Sequence, residues 1–126
     1  MAVSADVIAC VRRMVAEPEN AAPWDDETIS MYIERYALRD ASGLMPDDEG
    51  WTPTYDLNAA ARDIWNDKAA ALASEFDVSV DGTTARRSQR FRQARRMAAY
   101  YGARAVARVV AVTRAEDAAE VLPGEV

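Results

Sequence analysis

The feature that most constrains the fold is the stretch from Asp56 to Phe76, which contains neither glycine nor proline. Its larger apolar residues recur at the spacing that places side chains on one side of an α-helix. Alanines at 59–61, 69–71 and 73 add a second surface of small side chains. The pattern predicts one long helix whose apolar side consists of Leu57, Ala61, Ile64, Trp65, Leu72 and Phe76.

Lys68 interrupts this apolar side between Ile64 and Leu72. A catalytic lysine requires a cleft and an acceptor group, and the sequence indicates neither. We therefore expect the aliphatic stem of Lys68 to pack within the protein while its ammonium group reaches a carboxylate.

Two shorter helices are predicted upstream from the residues that can cap them. Ser4 can cap a helix over 5–16, and Asp25 can cap a second helix that ends near Arg39 or Asp40. Helical spacing gives the first an apolar stripe of Val7, Ile8, Val11 and Val15, and the second a stripe of Ile29, Tyr32, Ile33 and Tyr36.

Residues 41–54 form a predicted loop that contains glycine, proline and an acidic triplet. We expect Leu44, Met45 and Trp51 to tie this loop to the core. The triplet at 47–49 lacks the ligand spacing, the defined glycine and the distal glutamate of a calcium loop. We therefore expect a solvated loop and no metal site.

A short β-hairpin is predicted near residues 76–85. Residues 76–80 alternate apolar and polar, Asp81-Gly82 is a tight-turn dipeptide, and Thr83-Thr84-Ala85 can form a return strand. A fourth helix then starts near Arg87 or Ser88 and turns inward the side chains of Phe91, Ala94, Met97, Ala98 and Tyr101.

The predicted fold is all-α, a small bundle of about four helices with that hairpin between the two longest helices and an extended C-terminal arm. The predicted domain covers 1–112, and a flexible tail covers 113–126. Residues 103–112 are apolar and rich in valine, so they can continue the helix, form a strand or extend as an arm. The predicted core is Ile29, Ile33, Tyr36, Leu57, Ile64, Trp65, Leu72, Phe76, Phe91, Met97 and Tyr101.

The composition argues against an enzyme. The chain has 126 residues and no histidine, which removes the commonest general base and the usual triads. The lone Cys10 has no partner for an internal disulfide, and no cofactor motif is present. No apolar run approaches the length of a membrane span or of a secretory signal, so we expect a cytoplasmic protein.

Charge is unevenly distributed along the chain. Residues 1–80 hold sixteen acids and six bases (net −10), whereas residues 81–126 hold nine arginines and five acids (net +4). Six arginines lie within eleven residues at the start of the fourth helix and along it, namely Arg86, Arg87, Arg90, Arg92, Arg95 and Arg96. They can form ion pairs with another subunit, remain solvated, or contact DNA. We favour the first, because no helix-turn-helix spacing, zinc site or aromatic platform supports DNA recognition.

Several weak motifs occur together in a characteristic order over residues 24–104. The first is a second helix with an acidic start, which contains Asp26, Ile29, Tyr32, Ile33 and Tyr36, and a loop with Trp51 follows it. The next are Tyr55 to Ala61, Ile64-Trp65 and Lys68-Ala69-Ala70. The last are Phe76 to Gly82, Arg87-Ser88-Gln89 and Met97 to Tyr101. In this order the chain resembles the head–tail connector (adaptor) proteins of long-tailed double-stranded-DNA bacteriophages.

The resemblance implies a structural virion protein of the phage neck, at the head–tail interface, made in the host cytoplasm. Such subunits assemble as a ring, typically of twelve copies, beneath the portal protein. The ring extends the channel through which DNA passes without sequence-specific binding, and it offers a docking platform for head-closure (stopper) or tail proteins. By the same analogy the C-terminal arm contacts the portal through Val106, Arg108, Val109, Val110, Val112 and Arg114.

Two other classes of protein are compatible with the sequence. A different neck or tail-completion protein, such as a stopper or a tail terminator, would be richer in strand. A DNA-binding regulator would use the arginine-rich helix and would bind duplex DNA in a salt-dependent manner.

Overall fold

In the computed structural model, which describes residues 3–76 and 83–106, the chain forms four α-helices. They are α1 (Ala5–Val15), α2 (Asp26–Glu34), α3 (Leu57–Phe76) and α4 (Thr83–Arg104). The described residues form no β-strand, only two isolated β-bridges that join Ala21 to Trp24 and Ala37 to Tyr55. The predicted all-α bundle is thereby confirmed. No helix within the described ranges is long and apolar enough to cross a bilayer.

The predicted β-hairpin is not supported. The residues assigned to its return strand, Thr83 to Ala85, belong to the first turn of α4, and Phe76 belongs to α3. Residues 77–82, including the predicted Asp81-Gly82 turn, lie outside the described residues. A two-stranded hairpin is only marginally stable alone, whereas adding one turn to an existing helix requires no new nucleation.

Local signals predicted where the first two helices begin. Ser4 Oγ accepts a hydrogen bond from Val7 N (3.4 Å), and Asp25 Oδ1 accepts one from Thr28 N (3.0 Å). Both caps were predicted from the sequence. The Thr28 bonds are the largest cause that holds the pKa of the Asp25 carboxyl below its usual range.

The second helix ends earlier than predicted, at Glu34 instead of near Arg39 or Asp40. The chain after it pairs with the segment that leads into α3. Leu38 N donates to Thr54 O (2.8 Å), and Asp56 N donates to Tyr36 O (2.9 Å). These pairings satisfy the backbone groups without another helical turn, and no local pattern encodes them.

The core lies around α3, which packs against each of the other three helices. Most predicted core residues take part in it. Ile29, Ile33, Ile64, Trp65 and Leu72 are buried, and Tyr36, Leu57, Phe91, Met97 and Tyr101 are partly buried against the core. The side chain of Phe76, also predicted to be in the core, lies outside the described residues.

Two side chains of α3 donate hydrogen bonds to carbonyl groups at the carboxyl end of α1. Trp65 Nε1 donates to Met14 O (3.0 Å), and Lys68 Nζ donates to Val15 O (2.7 Å). These carbonyls belong to the last turn of α1, where a helix leaves its acceptors unsatisfied. Lys68 Nζ also contacts Glu17 Oε2 (2.7 Å) and lies 4.3 Å from the centre of the Trp65 ring. The predicted packing and ion pairing of Lys68 are confirmed.

One buried charged side chain forms hydrogen bonds to each of the two segments that connect α1 to α2 and α2 to α3. Arg12 is 8% exposed and binds Asp26 together with the carbonyls of Glu17 and Glu19. Asp40 is 7% exposed and accepts hydrogen bonds from the backbone N–H groups of Ser42, Leu44 and Thr52. These hydrogen bonds, that of Thr52 first, lower the pKa of the Asp40 carboxyl.

Of the three residues predicted to tie loop 41–54 to the core, Trp51 does so, and Leu44 and Met45 do not. Met45 is 45% exposed, and neither Leu44 nor Trp51 belongs to the core cluster. Trp51 does tie the loop to the core: its ring packs edge-on against Tyr55, which packs on the core, and its indole N–H donates to Leu38 O (2.8 Å).

Candidate subunit-contact surface

Within the described part of the chain, the fourth helix packs through one side. Its buried residues are Ala94 and Ala98, and Phe91, Met97 and Tyr101 flank them. Among the described helices, α3 is the only one whose backbone comes close to α4. No other described helix covers the rest of its circumference.

The arginines occupy this remaining circumference. Arg86, Arg90, Arg92, Arg95 and Arg96 are exposed, and Arg87 is half-buried. We call the five exposed residues the arginine surface. Four of them, Arg86, Arg90, Arg92 and Arg96, surround a shallow depression together with Gln89 and Gln93. The sequence predicted all six as interface candidates, and the structure brings these four together.

No carboxylate among the described residues lies within ion-pairing distance of the arginine surface. Its hydrogen bonds to side chains go to neutral groups, from Arg95 to Asn66 Oδ1 (3.1 Å) and from Arg92 to Ser88 Oγ (3.4 Å). In contrast, Arg12, Arg35, Arg62 and Lys68 each contact a carboxylate. The positive charge of the arginine surface therefore lacks a carboxylate counterpart within the described part of the chain.

Two acids of α3, Asp63 and Asp67, are hydrogen-bonded to tyrosines of α2 and of the segment that follows it. Tyr32 donates to Asp67, and Tyr36 donates to Asp63. Burial first, and then the hydrogen bond to Asp67, raises the pKa of Tyr32 to about 12. Burial and the Asp63 hydrogen bond likewise raise the pKa of Tyr36. These two carboxylates are thus bound on the α2 side of α3 and do not neutralise α4.

An apolar groove adjoins the arginine surface. Its volume is about 470 Å³, and we call it the Trp24 groove; it is lined by Pro23, Trp24, Ala71 and Leu72, with Glu17, Lys68 and Arg90 at its polar positions. Arg90 lines both this groove and the arginine depression. Since Glu17 is paired with Lys68, Arg90 supplies the groove's unneutralised charge.

Val106, the first of the predicted portal contacts and the last described residue, is hydrogen-bonded to the residue that precedes α3. Val106 N donates to Asp56 Oδ2 (2.7 Å), while Asp56 Oδ1 accepts from Ala59 N (3.2 Å) at the start of α3. Asp56 is 4% exposed and Val106 is 52% exposed. The other predicted portal contacts, Arg108, Val109, Val110, Val112 and Arg114, lie outside the described residues.

Sequence reasoning did not predict the Trp24 groove or the bond from Val106 to Asp56. An aspartate directly before a helix is a recognisable N-cap signal. The second bond of Asp56 joins residues far apart in the chain, and no local pattern encodes it.

No protein-family model, curated protein or solved structure matches this chain.

Proposed function

We propose that the chain is a structural subunit of the neck of a long-tailed bacteriophage. Copies of it form a ring beneath the portal protein, with twelve copies by analogy with the connector proteins that the sequence resembles. The ring extends the DNA channel and provides a docking platform for head-closure or tail proteins. In this proposal the protein has no catalytic role, and the ammonium of Lys68 serves to hold α1 and Glu17.

The observation that supports this proposal best is that the arginine surface has no carboxylate partner among the described residues. Residues 1–80 carry a net charge of −10, and Glu27, Glu34, Asp47 and Glu49 are exposed. A ring is built from heterologous contacts, in which one face of each copy meets a different face of the next. A basic face and an acidic face on one chain suit such a contact, and arginine forms bidentate pairs with carboxylates.

The place where the chain leaves the helical body is compatible with a portal-contacting arm. The bond from Val106 to Asp56 fixes the start of the arm against the first turn of α3. In the proposal, residues from Val106 onward contact the portal after the ring has docked.

Electron microscopy of the purified protein mixed with the portal protein of the same phage tests the proposal. We expect rings or decorated portals. The Arg92→Gln/Arg96→Gln variant should weaken each contact by about 1 kcal/mol, since an exposed ion pair contributes ~0.2–1 kcal/mol. Ring formation would then require several-fold more protein.

The matched control is Arg13→Gln/Arg39→Gln, which removes the same charge from two exposed arginines outside α4. This control should assemble like the wild type. Absence of rings and of portal decoration at all protein concentrations and salt conditions tested would contradict the neck assignment.

The arginine surface also suggests a second candidate function, a DNA-binding regulator. Salt-dependent binding of duplex DNA that is lost in Arg92→Gln/Arg96→Gln would support it. A strand-rich stopper or tail terminator receives no such support, because the described residues contain isolated bridges and no strand.

A further inference from the structure

The arginine surface and the Trp24 groove form one continuous surface through Arg90. One part offers guanidinium groups without carboxylate partners among the described residues, and the other offers apolar walls. A ligand that matches both is a peptide segment with several carboxylates followed by aliphatic side chains.

The chain itself contains such a segment. Residues 115–126 read Ala-Glu-Asp-Ala-Ala-Glu-Val-Leu-Pro-Gly-Glu-Val, with four acids and no base. Its acids at 116, 117 and 120 precede the aliphatic pair Val121-Leu122. We propose that residues 115–126 bind the arginine surface of their own chain and place Val121-Leu122 in the Trp24 groove.

The fixed position of Val106 makes this contact possible within one chain. About 21 Å of helix separates Arg90 from Arg104 at 1.5 Å per residue. The ten residues from Val106 to Glu116 can span up to about 33 Å. The groove residue Leu72 lies about 24 Å along α3 from Asp56, and the fifteen residues from Val106 to Val121 can span about 50 Å.

Binding within one chain has an advantage over binding between copies. A tethered segment acts at an effective concentration on the order of 1 mM. With an intrinsic Kd on the order of 0.1 mM, it occupies its site in about ten of eleven molecules. An acidic partner of the arginine surface must then displace the segment. This inference concerns the single chain and does not depend on the neck assignment.

A competition experiment with the full chain tests the contact. The probe is a fluorescently labelled peptide with the sequence of residues 115–126, and its binding is followed by anisotropy. The variant Glu116→Gln/Asp117→Asn/Glu120→Gln should bind the peptide about tenfold more tightly than the wild type, because its own segment no longer competes. The control Glu34→Gln/Asp47→Asn/Glu49→Gln, with the same change in net charge at exposed positions, should bind like the wild type.

A second pair of variants tests the surface. Adding Arg86→Gln/Arg90→Gln to the acid-neutralised chain should reduce peptide binding about fivefold, the equivalent of about 1 kcal/mol for two exposed ion pairs. Adding Arg13→Gln/Arg39→Gln instead should leave peptide binding unchanged. Circular dichroism establishes that each variant is folded before the binding comparison is made.

Three results would overturn the proposal. The first is equal peptide affinity of the wild type and the acid-neutralised chain. The second is that the acid-neutralised chain does not bind the peptide. This result would overturn the proposal whether or not the arginine surface binds duplex DNA. The third is wild-type peptide affinity that depends on protein concentration, since the segment would then be exchanged between copies.

Discussion

Replacing Trp65 with phenylalanine tests whether the indole N–H of α3 stabilises the carboxyl end of α1 by its hydrogen bond to Met14. The Trp65 ring is 7% exposed, and its N–H donates to Met14 O at 3.0 Å. Met14 lies in the last turn of α1, where carbonyl groups have no partner within the helix. Phenylalanine keeps most of the buried ring and removes the donor.

We expect Trp65→Phe to lower the free energy of unfolding by about 2 kcal/mol. This value is the middle of the ~1–3 kcal/mol that a buried polar group costs when it loses its partner. Trp65→Ala should cost ~3–5 kcal/mol, because it also removes the ring and leaves a cavity. Small domains have only ~5–15 kcal/mol of total stability, so the phenylalanine variant is the more informative one.

Urea unfolding followed by far-UV circular dichroism measures both losses. Trp24→Phe is the matched control, because Trp24 packs against the same core and its indole N–H donates to none of the described residues. Equal losses in Trp65→Phe and Trp24→Phe would refute the capping role. A near-wild-type unfolding curve for Trp65→Ala would show that the ring is not a core residue.

Two other substitutions test a strained cap and a buried phenol. Ala16 has φ 60° and ψ 41°, a left-handed conformation that costs L-residues roughly 1–2 kcal/mol. Ala16→Gly should therefore raise the free energy of unfolding by about 0.5–1 kcal/mol in the same urea titration, and a decrease would contradict this account. Tyr32 has its pKa raised to about 12 by burial and by its hydrogen bond to Asp67, so its contribution to stability is complete below its ordinary pKa of about 10 and is lost as the pH rises through 12. Tyr32→Phe should flatten the fall in stability between about pH 10 and 12 in urea titrations at fixed pH, and an unchanged slope would contradict this origin of the alkaline instability.

The parts of the fold that were predicted correctly depend on local chemistry. Ser4 and Asp25 cap the helices that they were expected to cap. The apolar spacing of α3 placed Ile64 and Trp65 in the core, where they lie. A cap and an amphipathic stripe each require only residues within one or two turns, so both can be recognised in a single sequence.

The parts that were predicted incorrectly depend on contacts between distant residues. The early end of α2 accompanies pairing of Leu38 with Thr54, and the tyrosine pattern that continued through Tyr36 gave no sign of it. The return strand at 83–85 was inferred from local alternation and a turn dipeptide. Those residues instead join a helix that packs on α3.

The candidate surface was predicted in part. Six arginines in one helix indicated a basic face, and five of them are exposed. The sequence could not indicate which carboxylates would remain available, because that depends on how helices pack. It also gave no indication that Arg90 would adjoin a groove formed by Trp24 and Leu72, which lie on separate segments.

The packing of α3 explains why the arginines of α4 form a basic surface and are not neutralised by the acids of α3. Its acids Asp63 and Asp67 accept from tyrosines of the α2 side, and Arg62 lies beside Asp63. Towards α4, the side chain of Arg62 lies against Gly102, and Asn66 contacts Arg95 without neutralising it. A carboxylate that neutralises α4 must therefore come from residues 75–82, from the segment beyond Val106, or from another molecule. The further inference assigns this role to the segment beyond Val106, and the proposed function assigns it to another molecule. The peptide competition distinguishes between them, because the fraction of sites that a tethered segment occupies does not depend on protein concentration.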